Sequence, residues 1–187
     1  MSISTNDLKN GMAVALPEGL FTVVEFQHVK PGKGGAFVRT KLKNVRTGAV
    51  LDRTYRADEK LEQAIIDKRD MQYLYREGDE SFVFMDNVTY DQLHVDATTL
   101  GDAVKYLKAG DAAVLQMYRD EVVGTDLPAA VELAVTQTEP GLQGDRSSAG
   151  RKPATVETGL VVQVPLFVNT GDRIKVDTRS GEYLTRA

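Results

Sequence analysis

The sequence predicts a mainly β protein made of three small barrels. The first observation is a period-2 alternation of apolar and polar residues, rich in β-branched and aromatic side chains, as in residues 21–29 and 36–42. The second is that turn-forming clusters such as Pro17-Glu18-Gly19 and Thr47-Gly48 separate the alternating runs. Because so small a sheet must close on itself to bury one face, we expect an SH3-like barrel in the first third of the chain.

Strand-like runs continue to the end of the chain and suggest where its domains meet. The predicted strands cover residues 13–16, 21–29, 36–42, 49–55, 71–75, 81–85, 112–118, 121–123, 130–136, 156–164 and 173–176. Residues 57–70 suit either a helix or a solvated connector, so we place the first boundary there. The remaining two segments, each about sixty residues long, have the size of five-stranded OB-type barrels. The expected domains are residues 1–64, 65–127 and 128–187.

Two other segments break the β pattern. Apolar residues recur at helical spacing from Leu100 to Leu107, Thr98 or Thr99 can cap the first turn, and Gly110 can end the helix. Residues 141–152 are rich in Gly, Ser and charged residues, which predicts a mobile loop inside the third domain. We therefore expect one helix in the middle of the chain and one long loop near its end.

The composition excludes several classes of function. Hydrophobic residues make up 42% and charged residues 27% of the chain, which is ordinary for a folded protein. There is no cysteine, so disulfides, thiolate metal sites and cysteine nucleophiles are excluded. The polar first eleven residues lack the apolar stretch of a signal peptide, and no later run could span a bilayer. We expect a cytoplasmic protein that does not bind membranes.

The net charge of −4 hides a segregation along the chain. Residues 1–64 hold 10 Lys/Arg and 7 Asp/Glu, residues 65–127 hold 6 and 13, and residues 128–187 hold 7 and 7. Within residues 28–56, eight Lys and Arg residues accompany a single acidic residue, Asp52. The sequence therefore predicts one basic surface, on the first domain, and an acidic middle domain.

Side chains suited to catalysis are scarce. The only histidines are His28 and His94, and neither stands at a metal-ligand spacing or in a Ser-His-Asp arrangement. His28 lies on a predicted strand that leads to the basic loop, so we expect a structural or RNA-contacting role for it and not that of a general base. We assign no role to His94. We expect no catalytic residue, no metal and no cofactor.

The conspicuous motif is Lys30-Pro31-Gly32-Lys33-Gly34-Gly35, between two predicted strands. Pro31 fixes one shoulder of the turn, while Gly32, Gly34 and Gly35 allow backbone angles that other residues resist. A phosphate-binding P-loop needs Ser or Thr after the lysine and a helix after that, whereas here Gly-Gly-Ala and a strand come next. The loop therefore presents Lys33 at its tip and is not a nucleotide site.

Two interpretations of Lys33 remain from the residues alone. In the first it is merely solvated at the end of a flexible hairpin. In the second it is a cation aimed at nucleic-acid phosphate, where a compact ammonium on a long stem reaches furthest. The neighbouring Arg39, Lys41 and Lys43 favour the second.

Several motifs, in order along nearly the whole chain, resemble bacterial elongation factor P, which is related to the hypusine-carrying factor of eukaryotes and archaea. They are KPGKGGAFVRTKLKN (30–44), RDMQYLY (69–75), FMD (84–86), KPATVETGLVVQVPLFV (152–168) and DTRSGEYLTR (177–186). The resemblance implies an SH3-like (KOW-like) domain followed by two OB-fold barrels, L-shaped overall. It also implies a translation elongation factor, not an enzyme, that binds the ribosome beside peptidyl-tRNA and stimulates peptide-bond formation, relieving stalling at consecutive prolines.

The resemblance also assigns roles to residues. Lys33 would lie at the CCA end of peptidyl-tRNA and is the position that many members of the family modify covalently, through a lysine-modifying enzyme. The residues' own positions beside the loop, and not the resemblance, make His28, Lys30, Arg39, Lys41 and Lys43 the candidates for RNA contact. The implied ribosome contacts of the third domain are Gly144, Asp145, Arg146, Tyr183 and Arg186, although a Gly/Ser loop is often just mobile and a C-terminal Tyr often packs on its own barrel.

The remaining expectations concern partners and alternatives. The acidic middle domain is expected to face protein or solvent, and the resemblance suggests the ribosomal L1 stalk. We expect a monomer. The alternative function is a generic barrel-type RNA-binding or transcription-associated adaptor, in which the basic loop would grip RNA without specificity.

Overall fold

Strands form three sheets in the computed structural model, which describes residues 1–141 and 150–187. Helical structure in these residues is confined to short segments. The prediction of a mainly β protein is therefore confirmed.

The first sheet curls around a single apolar core. Its strands are β1 (Ser2–Ser4), β2 (Ala13–Leu16), β3 (Gly19–Val29), β4 (Phe37–Asn44), β5 (Val50–Arg56) and β6 (Lys60–Ala64). They lie in the order β1-β6-β2-β3-β4-β5. The side chains at the centre of the core are Leu8, Val14, Phe21, Val23, Leu42, Tyr55 and Leu61. Since successive side chains of a strand point to opposite faces, burying one face leaves the other to polar residues.

Strand β6 lies in residues 57–70, for which the sequence suggested either a helix or a solvated connector. Leu61 and Ala64 are buried at a spacing that also suits a helix. The segment is nevertheless a strand, because it pairs antiparallel with β1 on one side and with β2 on the other. Two flanking partners satisfy its backbone on both edges, and this outweighs the local pattern.

The second sheet has five strands. They are β7 (Asp67–Glu77), β8 (Ser81–Asp86), β9 (Gln92–Asp96), β10 (Ala112–Tyr118) and β11 (Glu121–Asp126). Their order is β11-β10-β7-β8-β9, so β7 is central although it comes first in the chain. The predicted strands of this region are present, and β9 is an addition to them.

The predicted helix around Leu100–Leu107 is wrong as a continuous element. It consists of α1 (Ala97–Leu100) followed by a 3₁₀ segment (Gly101–Lys105). The predicted ends are also wrong: the N-cap residue is Asp96, whose side chain makes no capping hydrogen bond, and not Thr98 or Thr99, and the helical segment ends before Gly110. The break lies at Gly101, whose φ of +56° and ψ of −130° are favourable only for glycine and interrupt the helical backbone. The expected apolar side is retained, since Leu100 and Leu107 are buried.

The third sheet curls around an apolar core of its own. Its strands are β12 (Ala130–Thr138), β13 (Arg151–Val156), β14 (Val161–Pro165), β15 (Arg173–Asp177) and β16 (Tyr183–Arg186). Their order is β14-β13-β12-β15-β16. The core contains Leu133, Ile174 and several valines, together with Tyr106, which directly follows the 3₁₀ segment.

Two predictions in the third sheet are corrected. The strand expected over 156–164 is divided by a turn in which the Val156 amide donates to the Leu160 carbonyl and Gly159 has a φ of +86°. Residues 151 and 152 lie in β13 and not in the loop. Lys152 can occupy a strand with only 6% of its surface exposed because its ammonium donates to the Glu139 carbonyl at 2.5 Å.

The described chain divides into two compact units. One holds residues 1–68 and 116–124, and the other holds residues 69–115 and 125–187. The tip of the β10–β11 hairpin thus groups with the first barrel, where the Arg119 guanidinium lies 3.2 Å from the Glu62 carboxylate. In the other unit the Thr158 hydroxyl donates to the Lys105 carbonyl at 2.5 Å. The domain boundaries at 64/65 and 127/128 stay a prediction.

Across the residues that the structure describes, there is no helix both long enough and apolar enough to cross a membrane.

The third sheet contains one buried and one exposed leucine, and comparing them measures how much burial contributes to the free energy of unfolding. Leu133 is fully buried and Leu184 is 49% exposed. Leu133→Ala should lower the free energy of unfolding by about 2–5 kcal/mol, because it removes buried methyl groups and leaves a cavity. Leu184→Ala should cost under about 1 kcal/mol. Urea denaturation of both variants checks this, and equal costs would contradict the described core.

Candidate nucleic-acid interface

The Lys33 loop covers residues 30–36 and joins the two longest paired strands of the first sheet. Strands β3 and β4 pair as far as Val29 and Phe37, so the loop emerges from the end of a continuous ladder. Every residue from Lys30 to Gly35 is exposed. Within the described part of the chain, the Lys33 ammonium has neither a hydrogen bond nor an ion pair. Lys33 therefore stands exposed at the tip of the loop.

One glycine of the loop has a conformation that demands glycine. Gly34 has a φ of +114°, which side-chain-bearing residues rarely adopt, and a Cβ there would lie 3.9 Å from Cγ of Pro31. Gly32 and Gly35 have no such angle, and a Cβ at either would meet open space. The backbone turns at Gly34, directly after Lys33, and this turn sets the direction of the tip.

Three of the predicted RNA-contacting residues share one face of β4, which we call the cationic face. Arg39, Lys41 and Lys43 are exposed at alternate positions, while the residues between them are buried. At about 3.4 Å per residue, neighbouring cations on this face are spaced roughly 7 Å apart along the strand. The structure thus brings together the three basic residues that sequence reasoning had grouped.

A shallow groove of about 340 Å³ lies along this face. Strands β3, β4 and β5 supply its lining, which comprises Glu25, Phe26, Gln27, Arg39, Thr40, Lys41, Asp52, Arg53 and Thr54. Alternation places Glu25, Gln27, Arg39 and Lys41 on the same side of the sheet, since Glu25 pairs with Lys41 and Gln27 with Arg39. Charged and amide side chains of this face therefore line the groove.

The three cations differ in how far they are neutralised. The Lys41 ammonium lies 3.6 Å from the Glu25 carboxylate, and Asp52 stands directly opposite Lys41 on β5. Arg39 instead lies over the Phe37 ring, with its guanidinium carbon 5.5 Å from the ring centroid. Arg39 and Lys43 therefore carry most of the positive potential that this face offers to a polyanion.

A β-bulge is responsible for the pairing of Glu25 with Lys41. The register of β3 on β4 shifts between Val23 and Glu25, so Val24 is the extra residue. If the pairing continued from Val23 in regular register, Val24 would stand opposite Lys41, and Glu25 would point to the other face. The bulge thus determines which acidic side chain limits the charge of the cationic face.

His28 and Lys30 are not part of the cationic face. His28 pairs with the buried Val38, so its side chain lies on the opposite side of the sheet from Arg39. Its ring meets Phe26 edge to face, with centroids 5.6 Å apart. Lys30 is exposed at the start of the loop.

Sequence reasoning left Arg56 out of the candidate site. Arg56 pairs with Phe37, two residues before Arg39, and so extends the cationic face toward the loop. Its position could have been found by continuing the alternation of Asp52 and Thr54 along β5. Arg53, one residue out of phase, is instead bound to the Glu18 carboxylate, and that hydrogen bond holds the pKa of Glu18 below its ordinary value.

Of the five ribosome contacts predicted in the third domain, the structure describes two. Gly144, Asp145 and Arg146 lie outside the described residues. Tyr183 packs against the apolar core of the third sheet, and the Arg186 guanidinium lies 3.9 Å from the Asp172 carboxylate. Both are on the edge strand β16.

No cluster suited to holding a metal ion occurs in residues 1–141 or 150–187. The candidate site itself holds exposed cations beside amide and carboxylate side chains. Such a set can bind phosphate and position it.

Family models match three successive parts of the chain. The elongation factor P KOW-like domain covers residues 4–61, the elongation factor P OB domain covers residues 66–125, and the elongation factor P C-terminal domain covers residues 131–186. Together with the three sheets, these matches define a multi-barrel translation factor with KOW-like and OB domains.

Relatives across the full length identify the family. The chain is 61% identical to elongation factor P of Acidothermus cellulolyticus and 60% identical to that of Streptomyces avermitilis, in each case over 98% of this chain and at least 97% of the relative. The chain belongs to the elongation factor P family and is a translation elongation factor. The family suggested by the sequence motifs is confirmed.

Solved structures agree with the fold. A eukaryotic translation initiation factor 5A from Methanococcus jannaschii matches 68% of this chain and 92% of its own, with 25% identity and a TM-score of 0.53. A translation initiation factor 5A family protein of Naegleria fowleri matches 68% of this chain and 98% of its own, with 16% identity and a TM-score of 0.55. The second likeness shows the fold alone.

The loop glycines offer a test of the tip geometry. Gly34→Ala should displace the loop, because alanine resists the φ of +114°, whereas Gly35→Ala should be tolerated. Backbone amide chemical shifts from Lys30 to Ala36 report the change. If the two variants changed these chemical shifts from the wild-type values by equal amounts, Gly34 would not set the direction of Lys33.

The ion pair on the cationic face predicts a gain of affinity. Glu25→Gln frees Lys41, so binding to single-stranded RNA should strengthen, and the slope of log K against log salt should steepen by about 0.7. Glu80→Gln removes the same charge from an exposed side chain in the turn between β7 and β8, and serves as the control because Glu80 has no ion pair among the described residues. Fluorescence anisotropy at several salt concentrations measures both; equal slopes for the two variants would contradict the assignment.

Proposed function

We propose that this translation factor binds the ribosome beside peptidyl-tRNA and stimulates peptide-bond formation, relieving stalling at consecutive prolines. One observation carries the proposal: Lys33, exposed and unpartnered among the described residues, stands at the end of a paired β-ladder on a glycine-dependent turn. Membership of the elongation factor P family supports it. The ribosome performs the chemistry, and the factor supplies a positioned charge.

The mechanism is one of positioning. The Lys33 ammonium contacts phosphate and sugar oxygens of the CCA end, and so restricts the motion of the ester-linked nascent chain. Proline at that ester makes the attacking geometry poor, and holding the reactants near the productive arrangement lowers the barrier. Lys33 transfers no proton in this mechanism.

The cationic face extends the contact from the loop along the tRNA. Arg39, Lys43 and Arg56 supply charge for successive backbone phosphates, while Lys41 contributes less because Glu25 and Asp52 stand beside it. Lys30 lies at the base of the loop and contributes near the CCA end. His28, on the opposite side of the sheet, serves a separate contact.

The rest of the chain places the loop. In this proposal Tyr183 and Arg186 on β16, together with residues 144–146, face the small ribosomal subunit. The acidic segment 65–127 turns away from RNA phosphate and toward protein, for which the family suggests the L1 stalk. The factor acts as a monomer in the cytoplasm and needs no cofactor.

The exposure of Lys33 makes it accessible to a lysine-modifying enzyme. A covalent extension there would lengthen the reach of the side chain and add hydrogen-bond donors. Intact mass spectrometry of natively expressed protein decides this, because an unmodified mass removes the modification from the mechanism under that condition.

The exposed cationic face supports a second candidate function, a generic RNA-binding or transcription-associated adaptor. Such an adaptor needs affinity for RNA but no particular position of Lys33. The two functions therefore differ in what the loss of that lysine does.

Lys33→Ala separates them. In the proposed function the variant loses most of its stimulation of polyproline synthesis, while ribosome affinity changes by less than about fivefold, since one exposed ionic contact contributes at most about 1 kcal/mol. Lys60→Ala, at an exposed lysine on β6, serves as the control and should keep full activity.

The measurement is synthesis of a reporter with consecutive prolines in a reconstituted translation system, alongside binding to purified ribosomes. Full activity of Lys33→Ala would refute the positioning role. A modest, salt-dependent loss of RNA affinity with no effect on proline-containing reporters would favour the adaptor.

A further inference from the structure

The turn between β8 and β9 exposes two large apolar side chains. Val88 is 81% exposed and Tyr90 is 70% exposed, whereas Phe84, four residues before Val88, is fully buried. Burying apolar surface that is otherwise left in water is favourable, so a partner that covered these side chains would gain binding energy. The turn therefore presents these side chains outward.

The turn is held rigid by hydrogen bonds from its own ends. The Asp86 carboxylate, on a residue 8% exposed, accepts from the Val88 amide at 2.7 Å and from the Thr89 amide at 3.1 Å. These bonds hold the pKa of Asp86 below its ordinary value, so the carboxylate stays ionised and the turn persists at neutral pH. The Tyr90 amide donates to the Asp86 carbonyl at 2.9 Å.

A second set of bonds ties the turn to the sheet. The Asp86 amide donates to the Asp91 carbonyl at 2.9 Å, and the Asn87 amide donates to the Asp70 carbonyl at 3.2 Å. Val88 and Tyr90 thus project from a preorganised backbone. Binding through such a turn loses little conformational entropy, which favours affinity.

The backbone at Tyr90 is strained. Its φ is +62°, in the left-handed region, where Gly and Asn are ordinary and a bulky aromatic residue is not. Gly or Asn at this position would remove the backbone strain. The Tyr90 ring is mostly exposed, so its packing within the chain does not offset that strain. Strain that is kept without a packing benefit is characteristic of functional positions.

The negative charge of the segment around the turn indicates what kind of partner it would bind. Residues 65–127, which contain the turn, hold 6 Lys/Arg and 13 Asp/Glu, and Asp70 and Asp91 flank the turn itself. An RNA backbone would be repelled by this excess of negative charge, whereas a surface rich in Lys and Arg would be attracted. Tyrosine is among the residues enriched at the centres of protein interfaces.

We propose that the Val88–Tyr90 turn is a docking element that inserts its two side chains into an apolar pocket on a basic protein surface of the ribosome. The choice of a ribosomal partner rests on the proposed function, since it assumes that the factor binds the ribosome. The turn adds a specific protein contact to the RNA contacts of the Lys33 loop and the cationic face. It keeps the acidic segment on the protein side of the complex.

Tyr90→Asn is the sharpest variant, because asparagine accepts the left-handed backbone and removes only the ring. Its thermal midpoint should equal or exceed that of the wild type. Its Kd for purified bacterial ribosomes should rise about tenfold or more, as for the loss of a central aromatic contact. The slope of log K against log salt should stay unchanged, since no ion pair is lost.

Val88→Thr should also weaken binding, whereas Val161→Thr, at a 56% exposed valine on β14, should not. A photo-crosslinking phenylalanine analogue at position 90 should attach to ribosomal protein. Ribosome affinity of Tyr90→Asn within about twofold of wild type, or crosslinks to rRNA alone, would overturn the docking element. A wild-type chain that does not bind ribosomes would instead overturn the proposed function on which the occupant rests.

Discussion

The pairing of β3 with β4 is the constraint on which the candidate interface depends. The ladder runs from Phe21 opposite Asn44 to Val29 opposite Phe37, and its pleat assigns every side chain of β4 to the core or to solvent. Burial of Val38 and Leu42 thereby exposes Arg39 and the two cations after it. The same ladder ends where the loop begins, so the core of the barrel and the placement of Lys33 have one origin.

Much of this fold could be predicted from the sequence because alternation is a local signal. The strand expected over 112–118 coincides with β10, and that expected over 13–16 coincides with β2. The errors occur where partners distant in sequence decide. Residues 57–70 carry a pattern that suits two structures, and only pairing with β1 and β2 selects a strand for β6. The helical segment breaks because one residue, Gly101, adopts a positive φ with an extended ψ, which is not helical.

The candidate site was predictable in its composition but not in its geometry. Lys33 and the three cations of β4 could be found from a glycine-rich turn and from alternation. That Glu25 neutralises Lys41 depends on a bulge at Val24, which shifts the register by one residue and leaves no mark in the pattern of residue types. The turn at Val88 and Tyr90 was likewise missed, since its significance lies in a backbone angle and a buried carboxylate.

The composition of the first compact unit has a consequence for the order of events during synthesis. Residues 116–124 belong to it, and Arg119 meets Glu62 although the two stand 57 positions apart in the chain. As a nascent chain emerges from its N-terminus, the first barrel can form its ladders but must wait for this later hairpin before its full set of contacts exists. The N-terminal third is thus completed by a segment made after most of the second sheet, and its maturation is coupled in time to the folding of the central strands.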